Sequence, residues 1–116
     1  MKILMASSEF APYAETGKLA DDVSDLCAKM AEAGHEVVVV LPLYRCVREQ
    51  KSLTLKRSKV RFAVPLGASR LNCVVWEAVD PKGIRLLFIE RDEYFDRTGL
   101  YGMDGRDYED NAARFI

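Results

Sequence analysis

The sequence predicts an α/β fold whose first unit is a strand, a helix and a second strand. Lys2–Ala6 forms a short apolar run, and Val37–Leu41 forms a second run that is rich in β-branched residues and lacks alternation. Such an unbroken run is typical of a strand buried on both faces of a parallel sheet. The apolar residues between the two runs recur with the period of one helical face: Leu19, Val23, Leu26, Cys27 and Met30. Two strands joined by such a helix predict a right-handed βαβ crossover.

The predicted helix also has recognisable ends. Thr16 or a neighbouring residue can cap its N-terminus. Asp21 and Asp22 lie in or near its first turn, where the helix dipole favours carboxylates. Gly34 is placed to end the helix. These signals place one helix between the two apolar runs, and Pro42 ends the second run.

The middle of the chain predicts further strands, part of them in an antiparallel or hairpin arrangement. Turn residues at 65–67 and 80–83 separate three apolar stretches: the alternating Val60, Phe62 and Val64, then Leu71–Val79, then Ile84–Ile89. The last stretch is continuous and predicts a central strand. The middle of the chain is therefore expected to be rich in β-structure.

Residues 45–61 hold a local excess of basic side chains, with Glu49 as the only acidic residue. Such a patch can bind phosphate, but a solvated loop or an amphipathic helix has the same composition. No aromatic residues are interleaved with the charges, as a binder of single-stranded nucleic acid would need. A phosphate-binding patch and a solvated segment are both compatible with this run.

Composition and charge narrow the classes of function. The 116 residues suit one domain and not two full-sized halves around a cleft. A share of 49% hydrophobic and 30% charged residues is ordinary for a folded, water-soluble chain. The formal net charge of −1 gives no global field toward nucleic acid or anionic lipid. No apolar run approaches the length of about 20 residues that a membrane helix needs. We therefore expect a cytoplasmic protein without a nucleic-acid or membrane partner.

The cysteines do not indicate a disulfide framework or a metal site. Cys27, Cys46 and Cys73 are odd in number and widely spaced, and His35 is the only histidine. This pattern lacks the paired spacing of disulfide-rich domains and of zinc sites. We expect reduced, structural thiols and no bound metal.

The loop that leaves the first strand is the best positional candidate for a ligand site. Ser7–Lys18 follows the strand at the carboxyl edge of the predicted sheet, where α/β proteins bind ligands. The helix that begins there offers free N–H groups to an anion, and the loop is longer than most connections of this kind. Gly17 stands without the further glycines of a dinucleotide motif or a P-loop. One histidine and no nucleophile elbow leave a Ser-His-Asp arrangement unsupported.

The segment Glu90–Asp110 combines aromatic rings, carboxylates and glycines. Rings can stack on the apolar faces of sugars while carboxylates accept hydrogen bonds from hydroxyl groups, so the segment suits a sugar site. An ordinary surface loop has the same composition. Asp110 can then cap a helix that starts at Asn111 and stops within about two turns, which is a marginal length for a helix. We expect the chain to be the front part of a longer protein.

Ordered motifs stand near both ends of the chain. Ser7–Asp21 reads SSEFAPYAETGKLAD. This segment resembles the pattern S-S-E-x-x-P-x-x-K-T-G-G-L-A-D of bacterial glycogen synthases and plant starch synthases. Gly34–Tyr44 is similar to the family's G-H-[DE]-V strand with its P-x-Y sequence. Tyr94–Phe115 resembles the later run F-D-R, L-Y-G and D-Y-x-D-N-A-x-R-F. The middle of the chain matches weakly.

The resemblance implies that residues 1–116 form a Rossmann-like, three-layer α/β domain. This domain would be the truncated N-terminal part of a two-domain glycosyltransferase of the GT-B type. The implied reaction is a retaining transfer of glucose from ADP-glucose to the non-reducing end of an α-1,4-glucan, without a metal or other cofactor. In such enzymes the C-terminal domain, missing here, holds most of the nucleotide. The isolated chain is therefore expected to be inactive, and a plant-like source would place the protein in a plastid.

The resemblance also implies candidate site residues, although it identifies no catalytic residue within this chain. Four consecutive residues of the first loop would bind the phosphates and the glucose of the donor: Glu15, Thr16, Gly17 and Lys18. Three residues would lie toward the glucan acceptor: Glu9, Asp21 and Tyr101.

Two departures from the family pattern fall within the donor residues. Glu15 stands where the pattern has lysine, which replaces an attraction for a diphosphate by a repulsion of about 4 kcal/mol at 4 Å and an effective dielectric near 20. Lys18 stands where the pattern has a second glycine, about one helical turn from Glu15, and can supply the lost positive charge. The departures favour an alternative, a non-catalytic glucan-binding or regulatory relative. A generic nucleotide-binding domain of the flavodoxin type also fits the α/β pattern.

Overall fold

The computed structural model describes all residues from Met1 to Ile116. It contains a five-stranded sheet, a two-stranded ribbon, one long helix and three short helices. In chain order the elements are β1 (Lys2–Ala6), α1 (Lys18–Glu32), β2 (Glu36–Pro42), α2 (Arg45–Arg48), β3 (Lys56–Leu66), β4 (Ser69–Val79), β5 (Arg85–Glu90), α3 (Asp92–Phe95), β6 (Gly102–Met103), β7 (Arg106–Asp107) and α4 (Asn111–Phe115).

The five-stranded sheet has the order β1-β2-β5-β4-β3. Strands β1, β2 and β5 are parallel, whereas β3 and β4 form a long antiparallel hairpin that pairs with β5 through β4. Helix α1 connects the parallel strands β1 and β2, as the apolar period predicts. The predicted βαβ order and the antiparallel middle of the chain are therefore present.

The two faces of the sheet differ in how far they are covered. The face that carries Val39, Leu41, Leu86 and Phe88, which we call the covered face, forms one buried core with Cys27 of α1. We call the opposite face the open face. Several of its apolar side chains are 38% to 68% exposed: Leu4, Phe62, Val64 and Leu66. A groove of about 1100 Å³ runs along the open face between the hairpin and α4.

Strand β2 departs from its predicted burial. Val39 and Leu41 are buried on the covered face, whereas Val38 and Val40 are only half-buried on the open face. The unbroken apolar run predicts a strand covered on both faces, as in parallel sheets that have helices on either side. In this chain α1 and the sheet form two of the three predicted layers, and no long helix lies over the open face.

The basic run at residues 45–61 is divided between a short helix and an edge strand. Arg45 and Arg48 of α2 pair with acidic residues of the segment around α3, at 3.0 Å and 2.7 Å. The later charges lie on β3, where all four basic side chains are exposed. Charged side chains on an edge strand oppose pairing with another chain. This placement fits the solvated segment, although the later part of the run is a strand and not a loop or a helix. The predicted break at 65–67 is present but shorter, because β3 continues to Leu66 and the chain turns at Gly67.

The side chains of Thr16 and Asp110 bind other partners instead of capping the helices, and the N-cap of α1 is the neighbour of Thr16, Gly17. Helix α4 begins at Asn111 as predicted, but the side chain of Asp110 does not cap it. The carboxylate of Asp110 accepts two hydrogen bonds from Arg97 instead, at 2.7 Å and 2.8 Å. At α1 the N-cap is Gly17, and the hydroxyl of Thr16 donates to Glu9. In both cases a charged partner provides a stronger hydrogen bond than a neutral backbone amide.

The three cysteines are free thiols, as predicted. Burial raises the pKa of the Cys27 thiol above its usual range, with a smaller contribution from Asp80. No helix of the structure has both the length and the apolar character needed to cross a membrane.

Candidate functional site

The β1–α1 loop, Ser7–Gly17, leaves the carboxyl end of β1 and divides into a buried and an exposed part. Phe10 and Tyr13 are buried, and their rings stack at a centroid distance of 6.1 Å. Phe10 and Ala14 exchange backbone hydrogen bonds that fold the loop back on itself, at 2.8 Å and 2.9 Å. Glu15 and Thr16 then emerge at the surface. The buried part thus anchors the exposed part at the sheet edge.

Glu9 joins the buried part of the loop to the exposed part. Its side chain is buried, with 4% of the residue exposed. Oε1 of Glu9 accepts hydrogen bonds from the backbone N–H of Thr16 at 2.6 Å and from the Thr16 hydroxyl at 3.1 Å. Oε2 accepts a hydrogen bond from the hydroxyl of Tyr101 at 2.8 Å. Three donors therefore compensate for the removal of the carboxylate from water.

The Tyr101 hydroxyl connects this loop to the C-terminal segment of the chain. It lies 2.7 Å from Oγ of Ser8 in addition to its bond with Glu9. Burial raises the pKa of Tyr101 to about 12; the hydrogen bond with Ser8 lowers it and the bond with Glu9 raises it. Tyr101 therefore stays protonated at neutral pH. The carbonyl of Ser8 also accepts a hydrogen bond from the hydroxyl of Tyr44 at 2.8 Å, and burial strongly raises the pKa of Tyr44.

Helix α4 holds Tyr101 from the other side. The side-chain amide of Asn111 donates to the carbonyl of Tyr101 at 2.8 Å. Arg114, only 6% exposed, donates to the carbonyls of Leu100 and Tyr94 at 2.9 Å and 2.8 Å. Its guanidinium carbon also lies 5.0 Å to 5.5 Å from the centroids of three aromatic rings. Burial lowers the pKa of Arg114, and the nearby Arg97 lowers it further.

The N-terminus of α1 presents unpaired backbone donors beside the network. The backbone N–H groups of Gly17, Lys18 and Leu19 donate to no protein acceptor. Gly17 has an extended backbone, and a side chain built on it would meet no atom within 4 Å. Such unpaired N–H groups, together with the helix dipole, favour an anion. This end of the helix is therefore open toward solvent and able to receive one.

The predicted site residues fall into two groups. The structure brings Glu9, Thr16 and Tyr101 into one hydrogen-bonded network. The others are exposed around the start of α1 and take no part in that network: Glu15, Gly17, Lys18 and Asp21. Neither Glu15 nor Lys18 forms an ion pair, so the ammonium group of Lys18 is not paired with the carboxylate of Glu15. No group of three or more His, Cys, Asp or Glu residues could hold a metal ion.

Sequence reasoning gave no role to Asn111, Arg114 and Tyr44, which hold the network in place. Asn111 and Arg114 belong to the run that resembles D-N-A-x-R-F, and their spacing of three residues places them on one side of a helix. That spacing is the only signal that could have indicated a joint role. Their partners lie in other segments, beyond the reach of a local pattern.

The chain is similar to curated glycogen synthases along its whole length. It is 43% identical over 115 residues to the glycogen synthase of Syntrophotalea carbinolica, which covers 99% of this chain and 23% of that protein. It is 40% identical over 116 residues to the glycogen synthase of Opitutus terrae, covering 100% of this chain and 24% of that protein. The chain thus spans about a quarter of the length of these relatives.

A solved structure has the same fold. The catalytic domain of starch synthase IV from Arabidopsis thaliana, a structure with bound ADP and acarbose, matches with a TM-score of 0.75 and 24% identity, over 89% of this chain and 21% of that chain. This likeness confirms the predicted fold class. The sequence profile described as the starch synthase catalytic domain matches residues 2–116. A match over nearly the whole chain shows that this protein belongs to the family of starch synthase catalytic domains.

Proposed function

We propose that this chain is the N-terminal portion of a glycosyltransferase that moves glucose from ADP-glucose to the non-reducing end of an α-1,4-glucan. The observation that carries the proposal is the family match over residues 2–116. The unpaired N–H groups at the start of α1, at the carboxyl edge of the sheet, lie where α/β folds bind anionic ligands. The match supports the reaction as a whole, and the position of the open edge supports binding of the donor at this end of the chain.

The residues proposed to bind ADP-glucose differ in whether their N–H and O–H groups are already bonded within the protein. Thr16 directs both its backbone N–H and its hydroxyl proton to Glu9, so neither is available to a phosphate. Gly17 and Lys18 retain free backbone N–H groups, and Lys18 adds an unpaired ammonium group. In this proposal Gly17 and Lys18 contact the phosphates, while Thr16 shapes the loop.

Glu15 opposes donor binding through its charge. Its carboxylate is exposed and unpaired, so solvent screens it and the repulsion falls well below the value for a direct contact. Lys18, exposed and equally unpaired, carries the opposite charge three residues away. The names of the relatives do not favour the alternative of a non-catalytic relative, which depended on these two residues alone.

The acceptor side of the proposal involves Glu9, Asp21 and Tyr101. Asp21 has an exposed carboxylate on the first turn of α1 that can accept hydrogen bonds from sugar hydroxyls. Tyr101 is half-buried and presents part of its ring beside the groove of the open face. Glu9 is buried with both oxygens engaged, so in this proposal it supports the site from behind.

The proposed reaction needs more protein than this chain provides. The relatives are about four times as long, and we propose that the missing part includes a C-terminal domain that holds most of the nucleotide. The chain alone should then transfer no glucose from ADP-glucose to glycogen, and measurable transfer by the purified chain would contradict this division of labour. Cytoplasmic location, or a plastid in a plant-like source, stays a prediction.

Titration of ADP-glucose into the isotope-labelled chain tests donor binding by the amide NMR signals of the loop. We expect shifts centred on Gly17 and Lys18. Replacing Glu15→Lys should tighten binding about tenfold, which is about 1.4 kcal/mol and allows for heavy screening of the direct Coulomb energy. The matched control Glu32→Lys adds the same charge at the other end of α1, where it should change nothing. Absence of shifts at Gly17 and Lys18, or equal effects of both substitutions, would contradict the donor site.

A further inference from the structure

We propose that Glu9 and Tyr101 are positioning residues that set the conformation of the donor-facing end of the β1–α1 loop through Thr16. The bonds that join these residues run from Tyr101 to Glu9 and from Thr16 to Glu9, at 2.6 Å to 3.1 Å. We call this set of bonds the Glu9 clasp. The statement that the positioned groups face a donor rests on the proposed function, whereas the positioning itself does not.

The start of α1 has no side-chain cap to fix the conformation of its first residues. Gly17 at the N-cap has no side chain to accept a bond from the first turn, and no side-chain cap is present. Glycine also has the largest conformational freedom of any residue, so an unrestrained Gly17 would leave Lys18 poorly placed. Glu9 supplies the missing restraint from the opposite side of the loop, because it holds the residue directly before Gly17 by two hydrogen bonds.

The donor and the acceptor of each hydrogen bond in the Glu9 clasp can be assigned. The hydroxyl of Tyr101 has a single proton, and it donates that proton to Oε2 of Glu9. The 2.7 Å contact between Ser8 and Tyr101 must then be a bond donated by Ser8. The hydroxyl of Thr16 also points its proton at Glu9, which leaves that oxygen able only to accept. Thr16 therefore acts through the loop conformation and not by donating to a ligand.

The clasp connects parts of the chain that lie far apart in sequence. Tyr101 and Glu9 are separated by 92 residues. Asn111 holds the Tyr101 carbonyl, and Arg114 holds both the neighbouring Leu100 carbonyl and the Asn111 side chain. The position of Gly17 and Lys18 thus depends on α4, at the opposite end of the chain. A local loop motif would not have this dependence.

Hydrogen exchange of the Thr16 amide measures the clasp directly. We expect this amide to be protected in the unaltered chain, and its exchange to accelerate at least tenfold in Glu9→Leu relative to a core amide such as that of Val39. The ratio to Val39 separates local release from a loss of global stability, which would accelerate both amides. Glu9→Gln should restore most of the protection, because its amide oxygen can still accept the bond from Thr16. Tyr101→Phe should accelerate Thr16 exchange less than Glu9→Leu does.

Matched controls test whether the effect belongs to the clasp. Tyr108→Phe removes another hydroxyl from the same segment, one that accepts only from Gly99, and Glu32→Gln neutralises an exposed carboxylate of α1. Neither should change the exchange of Thr16. Unchanged Thr16 protection in both Glu9→Leu and Tyr101→Phe would overturn the proposal, and Tyr101→Phe decides alone if Glu9→Leu does not fold.

Addition of ADP-glucose to the same variants separates this proposal from the proposed function. If the unaltered chain binds ADP-glucose, Glu9→Leu and Tyr101→Phe should weaken binding in the order of their Thr16 exchange, and Glu9→Gln should recover it. Weaker binding with unchanged Thr16 exchange would overturn positioning in favour of direct contact. If ADP-glucose shifts no amide NMR signals of Gly17 and Lys18 in the unaltered chain, the proposed donor site is contradicted. The hydrogen-exchange rates of Thr16 still test the Glu9 clasp in that case.

Discussion

The β1–α1 loop and the β3–β4 hairpin differ in how completely their side chains are buried or hydrogen-bonded within this chain. In the loop, Phe10 is fully buried and Glu9 finds partners for both carboxylate oxygens within the chain. In the hairpin, Phe62 and Val64 remain 40% and 41% exposed on the open face although they pair well across the strands. The buried part of the loop finds partners for its side chains within these 116 residues, whereas the hairpin forms its hydrogen bonds but leaves part of its open face exposed.

This difference shows that strand pairing in a sheet does not by itself bury the side chains of that sheet. Strand pairing needs only the neighbouring strand, and the hairpin has this within 24 residues of sequence. Burial of a sheet face needs another layer, and α1 provides one only for the covered face. Contiguous exposed apolar surface of this kind marks an interaction surface or an aggregation hazard. Substitutions at buried and at exposed positions of the sheet should therefore change the free energy of unfolding by unequal amounts.

The largest expected effect is the contrast between Phe88→Ala and Phe62→Ala. Phe88 is completely buried on the covered face, so its truncation should lower the free energy of unfolding by about 3–5 kcal/mol. Phe62 lies on the open face, where the same truncation should cost less than about 1 kcal/mol. Urea unfolding followed by circular dichroism measures both. Equal losses would mean that the open face is packed in solution and would remove the contrast.

An intermediate effect is expected for Arg114→Met, which tests the segment that supports the loop. The change removes the donors for the carbonyls of Tyr94 and Leu100 and for the side chain of Asn111, while it keeps much of the apolar length. Buried acceptors left without partners should make the loss about 3 kcal/mol.

Arg106→Met is the control for that prediction, because Arg106 is exposed and forms no ion pair. Its free energy of unfolding should change by less than about 0.5 kcal/mol. A loss at Arg114 no larger than the loss at Arg106 would show that the buried guanidinium contributes nothing to the stability of this segment.

Local patterns predicted the elements of both regions well. The helical period of the segment around Val23 indicated α1, and the turn residues around Gly83 indicated the boundary between β4 and β5. The carboxyl edge of β1 could be identified as the candidate site because the strand order of a βαβ unit fixes where its loops lie. These features depend on residues that are close in sequence.

The features that the sequence did not predict depend on distant contacts. Arginine is rarely buried, so nothing in the local pattern marks Arg114 as the centre of an aromatic cluster. The bond between Tyr101 and Glu9 joins residues 92 positions apart. The half-buried state of Val38 and Val40 follows from what lies over the open face, which the β2 sequence does not encode. Similarly, Asp110 was expected to cap α4 because its nearest neighbours suggested it, but Arg97 was the stronger partner.

The smallest expected effect concerns pH and compares an ion pair of the C-terminal segment that supports the loop with an ion pair between the hairpin strand β4 and β5. The hydrogen bonds from Arg97 hold the pKa of Asp110 below its usual range. Because the carboxylate has a lower pKa in the folded than in the unfolded state, the ion pair stabilises the fold at pH values above the unfolded pKa of about 4. This contribution disappears as the pH falls through the still lower folded value. Both side chains are partly exposed, so the pair should contribute less than about 1 kcal/mol.

Asp110→Asn should therefore be less stable than the unaltered chain at pH 7, and the difference should shrink toward zero when unfolding is measured below pH 3. On the hairpin side, Arg85 and Glu77 lie 3.6 Å apart with both side chains more than 40% exposed. Glu77→Gln should change stability little at either pH, because solvent screens so exposed a pair. An equal pH dependence in the two variants would contradict the contrast between a C-terminal segment ordered by its own charged contacts and a β4–β5 pair whose charges face water.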